Sequence, residues 1–577
     1  MNVSFVVPVY NTDYKFLRIC INSILNSLAD DRQLIIIDDA SDQDEVLQFL
    51  ERCSTASELN IKVIRNSENC GVCYSLNKAI RSSDGTLIAP VDHDDLIDPR
   101  GIFLAFRYQN HFRSQWLYTD EAQIDDQGYC INNFFKPTYS KQLLRSVMYI
   151  NHLQIFSRNL FYDVGQYREG LEGSQDHDLA LRMSEIVEPH HVEAVAYQWR
   201  IQSNTQSRMH NRVNTEVTQR SIQALTEHFE RLGYDANISS ARPDSSTYRA
   251  LIVSEWKPLI SLIIPCRLGS SRLINGHEVN LLEQCLQSLK TTVLGAKNNT
   301  ELLLGIEVIL VLNHDDDISW GNSTLQKYEL GGFSINDEPD FHFARKCNLG
   351  AKHAKGEILV FANDDVKFLT SGWTDIVTSL LSEEDVATVG GMLLNSDGTV
   401  QSCGDRVGWS AADHYMPDSN ASNVGDPMQR YLVDHETCSV TGAFFCCRKT
   451  TFLKFDGFSM AFPNSYQDVD FCLRVRKEKL RCITSPVIRL THFESSSRDP
   501  TVDPETLRAL RLFHSPQIIA LDEYQLWRYQ KPRVRILSLS GLLRLRSLAR
   551  QQVKLLIIKL IRLSWRRPRN RGPQIIQ

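Results

Sequence analysis

Two α/β domains in tandem, followed by a basic amphipathic tail, are what this chain predicts. Three observations carry the expectation: short β-branched runs alternate with helical patterns, blocks of sequence recur in order, and acids stand directly after apolar strands. The recurrence is specific. "FVVPVY" at Phe5–Tyr10 returns as "LIIPCR" at Leu262–Arg267, with Pro8 and Pro265 separated by 257 positions. Asn77/Asn348, Gly85/Gly356 and Asp94/Asp365 share an offset of 271, and "SQDHDLALR" returns as "YQDVDFCLR" with Asp176 and Asp468 separated by 292. Block order is kept while the offset grows, as in a duplicated domain whose second copy gained insertions, one of them within 268–306.

In the first copy strands are predicted over 3–9, 33–37, 61–65 and 86–91, with amphipathic helices over 14–28, 44–53 and 71–82. This alternation calls for a parallel sheet with helices on its faces, and ligands then bind outside the carboxyl ends of the strands. The second copy resumes with strands over 259–264, 307–312 and 357–361. The predicted domains are 1–235 and 259–515, joined by a linker at 236–258 and followed by the tail at 516–577.

At 577 residues the chain exceeds what one hydrophobic core organises. Net charge is −6, yet residues 531–577 hold thirteen Lys and Arg and no acid, which leaves 1–530 at −19. An acidic body excludes nucleic-acid binding as its expected role, whereas the basic tail suits an anionic lipid surface. The tail reads as an interfacial helix with Trp565 at the boundary, or as a helix packed on the catalytic body with its basic face in water. Fourteen scattered cysteines do not resemble a disulfide scaffold. Cys70 and Cys73 stand at the start of a predicted helix but have no counterpart in the second copy, so packing is the expected role. No secretory leader or membrane-length apolar run is recognisable, and the expected setting is cytoplasmic, peripheral on the inner face of the cytoplasmic membrane.

The motifs fall at strand ends. Asp92-His93-Asp94-Asp95 places three carboxylates in four residues after a buried strand, which is costly unless a cation or hydrogen bonds compensate. Carboxylate oxygens suit Mg²⁺ or Mn²⁺; the alternative is an acidic turn capping the next helix. Asp38 and Asp39 follow "LIII" and either accept hydrogen bonds from a base or ribose or cap the following helix. In "SQDHDLALR", Asp176 at a helix start is a candidate general base or an N-terminal capping acid, two compatible roles. Asp178 and Asp470 read as supporting structure.

Taken together, "VVPVYN", "IIIDDASD", "NCGVCYSLNKAI", "VDHDD" and "GSQDHDLALR" resemble the family 2 glycosyltransferases of GT-A fold. The chain looks like a tandem enzyme of bacterial O-antigen or capsule polysaccharide assembly. "YTDEAQID", "FFKPTYSKQLLRSVMYI" and "LTHFESSSR" add to the resemblance, which covers roughly 1–235 and 259–500. It implies two Rossmann-like nucleotide-diphospho-sugar transferase domains. Asp38 and Asp39 would contact the nucleotide's base and ribose, with Pro8 and Tyr10 lining that pocket. Asp92 and Asp94 would form the DxD motif holding Mn²⁺ or Mg²⁺, and Asp176 would be the base, behind Gln175 where the family places glutamate. In the second copy Asn363 and Asp365 stand at the metal motif, His492 approaches the metal, and Asp468 is the base behind Gln467. Leu312 and Asn313 replace the paired nucleotide-binding acids. The implied reaction is inverting transfer of a sugar from a nucleotide-diphosphate donor to a hydroxyl of a glycan, expected to be lipid-linked. The alternatives are that one copy binds or scaffolds without catalysing, or that the protein is a non-enzymatic sugar-nucleotide sensor.

Overall fold

A computed structural model describes residues 2–520, apart from 28–31, 57–59, 202–214, 243–244, 267–270, 275–276, 295–304, 409–411, 423–428 and 494–503. The first unit contains β1 (Val3–Val9), α1 (Tyr14–Leu25), β2 (Arg32–Asp38), α2 (Asp44–Thr55), β3 (Ile61–Arg65), α3 (Val72–Arg81), β4 (Leu87–Pro90) and β5 (Leu96–Ile97). It continues through α4 (Pro99–Phe112), β6 (Trp116–Ile124), β7 (Cys130–Phe134), α5 (Lys141–Ser146), β8 (Gln154–Ser157), α6 (Arg158–Asp163), α7 (Gln175–Ser184), β9 (His190–Arg200) and α8 (Thr215–Arg231).

A hairpin of β10 (Asp235–Ser240) and β11 (Tyr248–Val253) follows. The stretch expected as linker is therefore ordered structure: Tyr248 enters the first unit's core, and the Ile252 amide donates to Ser379 Oγ of the second unit at 2.7 Å.

The second unit opens with β12 (Ile260–Pro265), a hairpin of β13 (Ser271–Ile274) and β14 (His277–Asn280), and α9 (Leu281–Leu294). The hairpin has no counterpart between β1 and α1, and it lies in the segment where an insertion is predicted. Then come β15 (Ile306–Leu312), α10 (Ile318–Lys327), β16 (Gly332–Asn336), α11 (Phe343–His353), β17 (Ile358–Ala362), β18 (Val366–Phe368), α12 (Trp373–Leu381) and β19 (Val386–Leu394). The strands β20 (Val400–Ser402), β21 (Asp405–Val407), β22 (Ala412–His414) and β23 (His435–Glu436) precede β24 (Phe444–Arg448), α13 (Lys449–Lys454), α14 (Gln467–Lys477), β25 (Arg481–His492) and α15 (Pro504–Ala520). Helix α15 crosses the expected boundary at 515/516; the rest of the tail, 521–577, lies outside the described residues.

The two main sheets run β3-β2-β1-β4-β8-β6-β9-β5 and β16-β15-β12-β17-β24-β19-β25-β18, the same order strand for strand. In each, four parallel strands are continued by a strand antiparallel to its neighbours on both sides: β8 between β4 and β6, β24 between β17 and β19. The expected parallel sheet is thus half of a mixed one. Each central strand is apolar on both faces because helices cover both; β2 and β15 are buried almost throughout.

The repeated small residues do the same backbone task in each copy. A Cβ on Gly85 would stand 2.6 Å from the Ser4 amide nitrogen, and one on Gly356 would stand 2.5 Å from that of Ser261. With no Cβ in the way, each glycine amide donates to that serine's Oγ, at 3.0 and 2.8 Å.

Candidate active sites at the two sheet edges

In the first unit the motif acids follow β4. Asp95 is held from two sides: Tyr197 Oη donates to Oδ2 at 2.6 Å and the Arg200 amide donates to Oδ1 at 2.7 Å. Arg200 also donates through Nε to the Asp94 carbonyl, and the Asp92 amide donates to Tyr197 Oη. The end of β9 therefore shapes the acidic turn. Burial, then Asp92 and Asp94, push the Asp95 carboxyl well above the ordinary range.

His152 reaches the same edge just before β8. Its ring stacks on Tyr197 with centroids 4.7 Å apart, and its Nε2 lies 3.8 Å from Asp92 Oδ2. Asp92, Asp95 and His152 each bring a ligand atom within 4.8 Å of the others. Oxygen donors plus one imidazole suit Mn²⁺ or Mg²⁺, and positive charge here would relieve the mutual repulsion of the acids. The expected pair was Asp92 and Asp94. The structure puts Asp94 in the same turn, 3.7 Å from His93 Nδ1, and adds His152. His152 lies two residues past the "FFKPTYSKQLLRSVMYI" run, with nothing local to mark it.

Asp176 occupies the first turn of α7 at this edge. Gln175 Nε2 donates to its Oδ2 at 2.9 Å. Burial foremost, and then Asp92, raise its carboxyl to about 6. The loop ahead of it is clamped by Asn77, which donates to the Tyr167 carbonyl at 2.8 Å and accepts from the Tyr167 amide at 3.1 Å. Asp178 is buried against Arg182 and Arg168, and Arg182 also donates to the Val164 and Gln166 carbonyls.

The second unit repeats this frame. Asn348 clamps Phe458 in the same two-way manner. Asp470 pairs with Arg474, which donates to the Phe455 and Gly457 carbonyls. Asp468 accepts from the Gly442 amide at 2.6 Å; burial first, then Asp405, raises it to about 6. His492 Nε2 lies 3.2 Å from Asp365 Oδ1 and 3.1 Å from Asn363 Nδ2, with Nδ1 2.7 Å from Gln401 Oε1. Asn363, Asp365 and His492 are thus brought together.

Strand register shows how the copies differ. Leu96 pairs with Gln198 where Lys367 pairs with Thr491, so Trp199 stands where the second unit has His492. Ile88 pairs with Phe156 where Leu359 pairs with Cys447, so Ala443 stands where the first unit has His152. Each edge receives a histidine from a distant part of the chain, His152 from just ahead of β8 and His492 from the end of β25.

The crevice between the carboxyl ends of β1 and β2 differs as well. Asp38 is 1% exposed, accepts from the Ser41 amide, and has Arg65 Nε 3.5 Å from Oδ2. Asp39 holds the start of α3, accepting from Asn66 Nδ2 and from the amides of Cys70 and Gly71. Pro8 lies in β1 beside Ile37, and Tyr10 is largely exposed beyond it. Cys73 is buried, consistent with packing. In the second unit buried Lys346 donates to the Cys266 and Val311 carbonyls and to Asn313 Oδ1 at 2.9 Å. A lysine ammonium fills the position that Ser75 occupies in the first copy.

Because both candidate bases are ionised only above about pH 6, any reaction that uses them gains rate as pH climbs through that value. A rate–pH profile at saturating donor checks this; a profile flat from pH 5 to 8 contradicts it.

Residues 4–111 match the family model described as Glycosyl transferase family 2. The chain is 30% identical over 512 residues to the uncharacterized protein y4gI of Sinorhizobium fredii, an alignment covering 87% of this chain and 54% of that protein. It is 30% identical over 508 residues to the O-antigen biosynthesis protein RfbC of Myxococcus xanthus, covering 87% of this chain and 38% of the other. Over 239 residues it is 27% identical to the chondroitin synthase of Escherichia coli, covering 40% and 33%. The chain therefore spans about half, or less, of the length of these relatives. Among solved structures, residues 1–349 of Staphylococcus aureus TarS align with a TM-score of 0.31 at 19% identity, over 40% of this chain and 72% of that one.

Proposed function

Starting from residues 4–111 as a glycosyl transferase family 2 domain, we propose that the chain is a tandem inverting glycosyltransferase of polysaccharide assembly. It takes sugar from a nucleotide-diphosphate donor to a hydroxyl of a lipid-linked glycan. The observation that carries this reading is the pairing, in both units, of a helix-start acid raised to about 6 with an acidic strand end approached by a histidine from another element. The names of RfbC and the chondroitin synthase support polysaccharide as the product class.

Asp92, Asp95 and His152, whose ligand atoms lie together, would hold a divalent cation in the first unit, with Asp94 in the same turn, and Asp365, Asn363 and His492 would do so in the second. When bound, such a cation offsets the charge that develops on a departing nucleoside diphosphate. The chain's own groups do the rest. Asp176 or Asp468 accepts the proton of the acceptor hydroxyl as it attacks the anomeric carbon, and displacement from the opposite face inverts that centre. Asp38 receives a nucleoside hydroxyl or N–H at the end of β2. Residues 531–577 hold the enzyme on an anionic leaflet; among the described residues no helix is long and apolar enough to cross a membrane.

The test is nucleoside-diphosphate release from a panel of sugar nucleotides, with and without Mn²⁺ or Mg²⁺. Asp92→Asn is expected to lower first-unit turnover at least about 100-fold and to raise the cation concentration needed for half-maximal rate. Unaltered cation dependence contradicts the assignment.

A second reading is favoured by Lys346. With Leu312 and Asn313 in place of the paired acids and an ammonium in the crevice, the second unit binds glycan rather than donor. Retention of all transfer activity by Asp468→Asn would select this reading.

A further inference from the structure

The runs "YTDEAQID" and "FFKPTYSKQLLRSVMYI" meet inside the first unit. Lys136, from the second run, has a side chain 0% exposed, and its Nζ lies 2.8 Å from Glu121 Oε2 of the first run. The same ammonium donates to the Ile150 carbonyl at 3.1 Å, to the Asn151 carbonyl, and to the His152 carbonyl at 2.6 Å. Three protons are thus shared among four oxygens, three of them on consecutive residues. The lysine is itself anchored: its amide donates to Asp120 Oδ1 at 2.9 Å, an oxygen that also lies 2.9 Å from His191 Nε2. On the far side of His152, the Leu153 amide donates to Thr119 Oγ1 at 3.3 Å and the Leu153 carbonyl accepts from the Thr119 amide at 3.1 Å.

The loop gathered in this way carries His152 to the acidic edge. Its ring stacks on Tyr197, 12° from parallel, and its Nε2, 3.8 Å from Asp92 Oδ2, also meets Asn151 Nδ2 at 3.0 Å. The second unit supplies the comparison. Thr388 pairs with Cys447 where Trp116 pairs with Phe156, and Leu393 pairs with Leu490 where Glu121 pairs with Tyr197. Met392 and Leu393, both buried, therefore stand where the first unit has Asp120 and Glu121, and Leu490 stands where it has Tyr197. That is also the unit in which Ala443 stands at the place of His152. Glu121, Tyr197 and His152 occur together in one unit, and leucine, leucine and alanine replace them in the other. Stability alone does not account for the charged cluster, since exchanging a buried ion pair for apolar side chains is often neutral or stabilising.

We propose that Lys136 is the positioning residue of the first unit's candidate cation site: it binds the carbonyls of residues 150–152 around one ammonium and so fixes the His152 ring beside Asp92 and Asp95. Glu121 holds that ammonium from β6. An imidazole on an untethered loop reaches the acids in only some of its conformations, whereas one already held there binds a cation without that further loss of freedom. The inference rests on the transfer reading only for the cation; the placement of His152 is a property of the chain alone.

The experiment is nuclear magnetic resonance of the full chain carrying isotopically ring-labelled histidine, with the His152 resonance identified by its absence in His152→Ala. Its ring-proton shift reports stacking on Tyr197, and its broadening by added Mn²⁺ reports the cation at this edge. Lys136→Met leaves Glu121 as an unpaired buried charge, so Lys136→Met/Glu121→Leu, which copies the leucine of the second unit, serves as a second variant. The double variant is expected to keep a urea midpoint close to that of the wild type and to lose the stacking shift. It should also need about 10–100-fold more Mn²⁺ for the same broadening. A stacking shift retained in the double variant overturns the proposal, because the cluster then only fills the interior. So does a shift lost in Lys136→Met but restored in the double variant, which traces the loss to the stranded carboxylate. Mn²⁺ that leaves the wild-type resonance sharp refutes the cation reading, while the stacking shift still decides the placement of His152.

Discussion

Replacing Asp176 by asparagine is expected to lower transfer by the first unit about 10²–10⁴-fold, the range a positioned general base contributes. Nucleotide affinity should change little, because the groups around Asp176 are Gln175, Tyr167, Asp92 and His152, whereas Asp38 is held at the end of β2 by Ser41 and Arg65. Asn keeps the side chain's shape and can still meet Gln175, while Asn77 and the Asp178–Arg182 pair continue to hold the loop and helix. The loss should therefore be in kcat rather than in folding. Asp468→Asn tests the second unit in the same way. Product analysis by mass spectrometry separates the two: each variant should stop the glycan at a different residue if both units transfer. Two variants with full activity would refute both base assignments.

The second large effect is on stability. Helix α5 of the first unit meets the second unit through buried charge. Arg145 donates to both oxygens of Glu383 at 2.8 and 2.9 Å, Arg481 approaches Glu383 at 3.1 Å, and Lys141 lies 3.4 Å away. Alongside, Glu436 accepts from the Gln142 amide and from Ser140 Oγ, and Ser146 Oγ donates to the Asp434 carbonyl. Glu383→Ala leaves the Arg145 and Arg481 guanidiniums without their shared carboxylate and is expected to cost about 3–5 kcal/mol. The measurement is a shift in the urea midpoint at unchanged slope; a shift under ~1 kcal/mol contradicts this account of the seam.

The pH dependence follows from the same group. Burial opposes ionisation of Glu383, but Arg145 first, then Arg481 and Lys141, lower it to about 2 from an ordinary 4.5. Its stabilisation is complete above about pH 4.5 and is lost as pH falls from there towards 2. Glu383→Ala should flatten the stability profile in that window.

Sequence periodicity revealed the repeat because the repeated residues perform backbone tasks that few other side chains could. Asn77 and Asn348 each clamp one peptide from both sides, and Gly85 and Gly356 each allow a close approach. Such tasks preserve residue type at fixed spacing. The central strands β1, β2, β4, β12, β15 and β17 were legible as continuous apolar runs, and β2, β4 and β17 stand out further because acids follow or close them.

Other features depend on partners distant in the chain. His152 meets Asp92 across 60 positions, and Arg145 meets Glu383 across 238. The hairpin at 235–253 reads as linker because β10 is mostly polar and alternates between half-buried and exposed residues, and the short apolar run of β11 follows a Ser-, Pro- and Asp-rich stretch. The exchange of His492 for Trp199, and of His152 for Ala443, emerges only once strand register aligns the copies.

The seam also constrains how a glycan can be built. Val433 of the second unit packs into the core cluster of the first, and the connecting hairpin hydrogen-bonds to α12. The two candidate edges are therefore held at a set spacing by the described contacts. If both units transfer sugar as proposed, a glycan extended at one reaches the other only by its own travel, and the reach of the acceptor decides whether a second residue is added.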